Sequence, residues 1–311
     1  RMLKQAPMQV VRGFLMGSAD IVPGVSGGTI ALVLGIYTHL IDTVRDGASV
    51  LGAAVKGDFS GVVERFKAVD WAFLIPLLVG IGVAVIALSH TIEHLLETQP
   101  VRMSAAFFGL VIGSIVVTAQ RFKPDPVRMA TLLGVAIVAF FVLGLRSGTV
   151  DDPALPFVFI AGAIAICAMI LPGISGSFLL LMMGLYETVL GAVSDRNLVF
   201  IAVFGLGAVL GLAGFSTVLH WALHHYHQLM LAGLTGLMLG SLRVLWPWRE
   251  VPAGKEFQDV SNMSMPSGDV WMPILLAVVG GVLVIGLSIL AGDDSEDEVE
   301  DEDEVQTTSV G

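Results

Sequence analysis

The chain has 311 residues and a formal net charge of −11, with 55% hydrophobic residues against only 14% charged ones. A soluble domain carries about 25% Asp, Glu, Lys and Arg, so a mean hydropathy of +0.84 puts most of the chain in lipid and excludes a soluble enzyme, a nucleic-acid binder and a disordered protein. Ten of the 27 acids fall between Asp293 and Glu304; without them the body holds 17 acids against 16 bases and is close to neutral.

The first residues, up to Pro7, are short and basic. They do not read as a cleaved signal peptide, because the apolar run from Met8 continues into distinctive Gly/Pro sequence, and the leading Arg fits a trimmed start. Residues 13–41 form an apolar region broken in its middle by Pro and clustered Gly. The polar stretch 42–70, with V-V-E-R-F-K, reads as an amphipathic helix on the cytoplasmic surface. Simple spans of about 20 apolar residues are then predicted at residues 71–89, 103–119 and 129–145.

A second broken apolar region covers residues 157–193 and contains Cys167, the only cysteine. That cysteine reads as a small buried hydrophobe, and no disulfide, Cys-based metal site or cofactor is implied. Three more spans follow at 198–219, 229–245 and 272–291. The turn H-W-A-L-H-H-Y-H (His220 to His227) has His220 and His224 at i, i+4 and His224 and His227 at i, i+3 but no Cys or carboxylate, so it reads as an interfacial belt and no metal is assigned to it. Gly109/Gly113, Gly207/Gly211 and Gly236/Gly240 have the spacing that lets helix backbones approach closely in lipid. Residues 292–311 read as a disordered, solvated acidic tail.

The two broken regions are copies of each other. At an offset of 149 residues, A-D-I-V-P-G-V-S-G-G-T-I-A-L-V-L-G-I-Y (Ala19 to Tyr37) falls on A-M-I-L-P-G-I-S-G-S-F-L-L-L-M-M-G-L-Y (Ala168 to Tyr186), with nine of 19 positions identical. The fold expected is therefore an all-α polytopic membrane protein of two inverted repeats, residues 1–156 and 157–291. Each repeat is a re-entrant broken helix plus three transmembrane helices, a plan recurrent among transporters. At 37 residues the second broken region is too long for one crossing and, less its break, short for two. With the N-terminus inside, the re-entrant plan places ten basic residues in the cytoplasm and six outside, and puts the acidic tail in the cytoplasm. Fully spanning breaks with the N-terminus outside give eleven and five, so charge alone leaves both topologies open.

The breaks suggest anion chemistry. In P-G-V-S-G-G-T, proline fixes one dihedral, glycines permit positive φ, and successive N–H groups converge into a nest at the positive end of a half-helix. Ser26 and Thr29 in the first copy, and Ser175 and Ser177 in the second, add hydroxyl donors. Two facing nests would cradle a phosphate. Among ionisable groups inside apolar sequence, Asp20 and Glu187 are candidates for proton coupling: one takes up a proton as a neighbouring phosphate leaves. Asp20 reads equally as a helix cap. Arg12, Arg146 and Arg243 border the apolar stretches as candidate headgroup cations or snorkelling anchors.

M-G-S-A-D-I-V-P-G-V-S-G-G-T (Met16 to Thr29), with I-L-P-G-I-S-G-S (Ile170 to Ser177) and G-L-Y-E (Gly184 to Glu187), resembles the polyprenyl-phosphate transporter family over about residues 11–290. The resemblance implies a flippase in the cell (plasma) membrane that moves a lipid-linked phosphate between leaflets so that the glycan carrier is reused in cell-envelope synthesis. The carrier is undecaprenyl phosphate in bacteria. A dolichyl type would suit the high-salt cytoplasm that the acidic tail and the five lysines suggest. By position, the headgroup site falls on Asp20, Pro23, Gly24, Ser26, Gly27, Gly28 and Thr29, and on Pro172, Gly173, Ser175, Gly176 and Ser177. The partners implied are the lipid, the bilayer and a coupling ion such as the proton. No catalytic residue is assigned, and the acidic tail and His-rich turn depart from the family pattern.

Two other classes share these features. Membrane-embedded polyprenyl-pyrophosphate phosphatases also use inverted re-entrant repeats, with P-G-x-S-R-S and E-x-x-x-E motifs. Here Gly27 and Gly176 replace the Arg that would stabilise phosphoryl charge. An E-x-x-x-E does occur at Glu93 and Glu97, but in a polar connection where it reads as a solvated amphipathic helix face, and M-P-S-G-D (Met265 to Asp269) lacks the His of a further phosphatase class and reads as a loop. A small-anion channel or exchanger could use the same nests.

Overall fold

The computed structural model describes residues 2–22, 24–145, 150, 152–249 and 263–308. Pro23, Arg146 and Lys255 lie outside them. Thirteen helices are present among the described residues, which contain no β-strand. They are α1 (Met2–Asp20), α2 (Gly27–Val33), α3 (Tyr37–Val55), α4 (Phe59–Ala68), α5 (Trp71–Thr98), α6 (Pro100–Ala119) and α7 (Pro126–Val142). Then come α8 (Leu155–Ile170), α9 (Gly176–Met182), α10 (Tyr186–Ser194), α11 (Leu198–His225), α12 (His227–Leu245) and α13 (Trp271–Thr308).

Several helix starts follow from short polar side chains that accept from exposed N–H groups. Asp58 caps α4 through Gly61 N, Asp70 caps α5 through Phe73 N, and Asn197 caps α11 through Phe200 N. Asp125 caps α7 through Val127 N and Arg128 N, with Pro126 at the first helical position. The short half-helices α2 and α9 end alike. Gly35 (φ 74°) and Gly184 (φ 70°) reverse the chain in the left-handed region. The next N–H bonds back five residues, Ile36 N to Ala31 O (3.0 Å) and Leu185 N to Leu180 O (2.9 Å). The sequence repeat is thus a structural one: α1, α2 and α3 match α8, α9 and α10.

Helices pack in matched pairs: α1 along α5, α8 along α11, α6 along α13 and α7 along α12. The last two pairs cross between the sequence halves. The glycine expectation holds at these seams. A Cβ on Gly109 would strike Ala277 O of α13, one on Gly207 would strike Phe159 O of α8, and one on Gly236 would strike Leu132 O of α7. The central core joins Tyr37 and Ile41 of α3, Leu77 of α5, Val111 of α6, Leu223 of α11 and Met238 of α12. Outer faces of α5, α11 and α13 present Ile86, Leu210 and Leu283, an apolar surface made for acyl chains rather than water.

Several boundaries differ from the sequence expectation: α5 runs on to Thr98 and α11 to His225, past the expected ends at 89 and 219, so Glu93 and Glu97 lie on α5. Five helices are long and apolar enough to cross a membrane: α5, α6, α11, α12 and Trp271–Ala291 of α13. The stretch expected at 129–145 is α7, which at 17 residues is shorter than those five because it ends before Leu143 and Gly144; its rise is about 26 Å. Helix α3 runs straight through the expected boundary at residues 41/42, because nothing interrupts its pattern before Gly57 (φ 71°). The amphipathic region is therefore the end of α3 plus α4. Finally, α13 carries helical backbone through the acidic run to Thr308, where composition alone predicts disorder. A helix already nucleated by a span propagates one residue at a time without a new nucleation cost.

Candidate functional site

The two breaks, 149 residues apart in sequence, meet inside the molecule. Gly173 N donates to Thr29 Oγ1 (2.8 Å), Ser26 Oγ donates to Met169 O (3.0 Å), and Tyr37 Oη donates to Ile170 O (3.3 Å). A Cβ on Gly28 would come within 2.5 Å of Ile170 O, so only glycine lets α2 start this close to the end of α8. Gly24 (φ 91°) and Gly173 (φ 84°) hold the same left-handed backbone in the two copies, lying against Val244 and Leu245, and against Met238 and Ser241, of α12 respectively. Ser26, Gly27, Gly28, Thr29, Pro172, Gly173, Ser175 and Gly176 are all buried. The predicted site residues are therefore brought together, with the exception of Pro23, which is not described.

The two copies differ in what faces their helix starts. At α2, Asp20 Oδ1 accepts from Gly27 N (2.6 Å) while Ser26 Oγ accepts from Gly28 N (3.0 Å). A carboxylate thus sits at the position where an anion-binding nest was expected to hold phosphate, and Asp20 acts as a cap. At α9 the position matching Asp20 is Met169, and Ser175 makes no side-chain cap bond. Instead the Ser175 and Ser177 hydroxyls hydrogen-bond each other at 2.8 Å. Ser26 and Thr29, read from sequence as headgroup donors, spend these oxygens on the protein: they bolt one break to the other.

The remaining candidates are more scattered. Glu187 is exposed in the first turn of α10. Arg12 is half-buried on α1. Arg243 donates to Phe140 O (3.2 Å) and lies over the Phe140 ring, fastening α12 to α7. Arg146 lies outside the described residues.

Sequence reasoning missed Arg121 and Tyr37. Arg121, one of the ten basic residues that the re-entrant plan places in the cytoplasm, donates to Leu32 O (2.7 Å) and Val33 O (2.6 Å), placing a cation on the carbonyl end of α2. The half-helix is thus held by a carboxylate at one end and a guanidinium at the other. A basic residue just past an apolar span was the available signal, but nothing in sequence says which helix it reaches. Tyr37 could have been found as the repeated Tyr of G-I-Y and G-L-Y. It is fully buried, while its counterpart Tyr186 is exposed.

Residues 16–262 match the model of a family described as undecaprenyl phosphate translocase-like. Among curated proteins, a polyprenyl-phosphate transporter of Vibrio cholerae serotype O1 is 42% identical over 241 residues, covering 77% of each chain. A polyprenyl-phosphate transporter of Staphylococcus aureus is 32% identical over 259 residues, covering 77% of this chain and 86% of its own. No solved structure matches.

Proposed function

The chain belongs to the undecaprenyl phosphate translocase-like family, and we propose on that premise that it carries a polyprenyl phosphate, of undecaprenyl or dolichyl type, between bilayer leaflets. The observation that carries the reading is the buried junction of two duplicated Gly/Ser breaks, bonded through Thr29 and Gly173. Irregular backbone of this kind is tolerated at membrane depth only inside protein or beside a polar cavity. In this reading the two units are inverted repeats with re-entrant breaks, supported by the 109° bend between α9 and α10. The N-terminus and the acidic tail lie in the cytoplasm of a cell whose plasma membrane holds the protein.

The phosphate headgroup first engages the second break, where Ser175 and Ser177 offer hydroxyls and no carboxylate stands against the α9 start. At the first break, Asp20 holds the Gly27 N–H that a phosphate would need. Two anions cannot share that donor without strong repulsion, so the headgroup enters when Asp20 is protonated or swings away. Proton uptake on Asp20 would in this way couple to headgroup passage. Glu187 is a more exposed second candidate, and Arg12 and Arg243 are candidate cations along the route.

Hydrolysis is disfavoured by space as well as by chemistry. A Cβ at Gly27 would fall 2.5 Å from Asp20 Oδ2, and one at Gly176 would fall 2.6 Å from Ala165 O. At Gly176 the obstacle is backbone and no arginine fits; at Gly27 it is the Asp20 carboxylate, which would have to turn away.

The test is reconstitution into liposomes with a short-chain polyprenyl phosphate, following leaflet exchange, inorganic phosphate release and chloride flux together. Lipid exchange without the other two is expected. Phosphate release would point to the enzyme, and chloride flux without lipid exchange to a channel. For coupling, Asp20→Asn is expected to retain lipid binding and lose the pH dependence of exchange; a variant with the wild-type pH profile would remove Asp20 from the mechanism.

A further inference from the structure

Away from the breaks, Asp42 of α3 meets His220 and His224 in the last two turns of α11. The two histidines share a face at i, i+4, their rings 4.2 Å apart between centroids. Asp42 arrives from 178 residues earlier in the chain and puts Oδ1 2.7 Å from His220 Nδ1. Its Oδ2 lies 3.6 Å from His224 Nε2. One ligand atom from each of the three residues falls within 4.8 Å of the others.

We propose that this cluster is a binding site for a first-row divalent metal of the Zn²⁺ type. Zinc takes imidazole nitrogen and carboxylate oxygen at about 2.0–2.1 Å in tetrahedral geometry, so neighbouring ligand atoms sit about 3.3 Å apart. The donor separations of 2.7 and 3.6 Å bracket that edge. The outer contacts favour it too. His224 Nδ1 lies 2.9 Å from the His220 carbonyl, to which it can only donate, so Nε2 carries the lone pair and faces Asp42. The metal takes the place of the hydrogen on His220 Nδ1, which moves to Nε2 so that the ring stays neutral. Imidazole donors select Zn²⁺, Ni²⁺ or Cu²⁺ over Mg²⁺ and Ca²⁺, which prefer all-oxygen sets.

The side chains of His220, Asp42 and His224 are 26%, 35% and 46% exposed, which leaves an approach for the ion and room for water as a fourth ligand. His225 does not join: its ring stacks on Trp221 and its Nδ1 bonds the Trp221 carbonyl. A bound ion would staple α3, which follows the half-helix α2 of the first break, to α11 of the second half.

The experiment is calorimetric titration of Zn²⁺ into the full-length protein in detergent, carried without a polyhistidine tag, with Mg²⁺ as a parallel titrant. One Zn²⁺ per chain is expected, with no Mg²⁺ binding and an affinity that weakens on acidification as protons compete for the imidazoles. Asp42→Asn, which keeps size and hydrogen bonding, and His224→Ala should each weaken the affinity at least tenfold. His225→Ala and His227→Ala should leave it within twofold. Each variant's melting profile without metal is recorded first, so that a folding defect is separated from ligand loss. Absence of stoichiometric Zn²⁺ binding by the wild type would overturn the proposal, and so would equal loss in the His225 or His227 variants.

Discussion

Replacing Thr29 with Val tests whether the two breaks are held to each other by chemistry or merely packed side by side. Thr29 is fully buried and its Oγ1 accepts the N–H of Gly173, which is itself buried and locked at φ 84°. Valine matches threonine in volume, so no cavity opens; what changes is one buried N–H left without its acceptor. Such an orphan costs about 1–3 kcal/mol. Taking about 2 kcal/mol, and about 2–4 °C per kcal/mol for a chain of this size, melting should fall by about 4–8 °C. Thr29→Ser keeps the acceptor and loses one methyl, about 1 kcal/mol, so its loss should be smaller by about half. Circular-dichroism melting in one detergent compares the three proteins, and leaflet exchange in liposomes should decline in the same order. A valine variant as stable as wild type, or a serine variant as impaired as valine, would refute the reasoning.

Other perturbations probe different links. Arg121→Ala removes the donors on Leu32 O and Val33 O and should lower melting by about 1–3 kcal/mol equivalent, with Arg121→Lys only partly restoring it. Gly236→Leu drives a side chain into Leu132 O of α7 and should abolish the monodisperse folded species on size-exclusion chromatography, whereas Gly233→Leu, which meets little, should not. The Asp58 carboxylate is held below its ordinary range by the Gly61 N–H and the Ser60 hydroxyl. Its cap on α4 is therefore complete above the unfolded-state value near 4 and is lost as pH falls through the folded one. Hydrogen exchange across Phe59–Ala68 should accelerate in that acid range, and Asp58→Asn should flatten the dependence.

Much of the fold was legible because lipid imposes simple rules. Long apolar runs gave the helices of the membrane region, and the nine identities between the breaks announced two structural copies, down to the matched left-handed glycines at 24 and 173. Glycine spacing on α6, α11 and α12 found the seams. What could not be read was which helix each seam joins, and which side chains meet across distance. Ser26 and Thr29 were correctly placed in the breaks, yet their oxygens turn to the opposite break, a pairing no local pattern encodes. Asp42 was hidden for a similar reason: it looks like one polar residue at the head of a surface stretch, and only the packing of α3 on α11 reveals its histidine partners. Arg121 reaches 88 residues back to Val33, farther than any capping rule extends.

The crossed packing of α6 with α13 and α7 with α12 bears on how the molecule is made. A ribosome delivering this chain releases the first half with α6 and α7 both lacking the neighbours that their glycine-lined seams were shaped for. The faces shaped for those neighbours stay against lipid until α12 and then α13 are inserted. The duplicated halves are therefore not two modules that mature in turn but a pair completed only as the last two helices arrive. A chain interrupted before Trp271 would leave the α6 seam open to any small-residue helix nearby, which makes such fragments natural clients for membrane quality control.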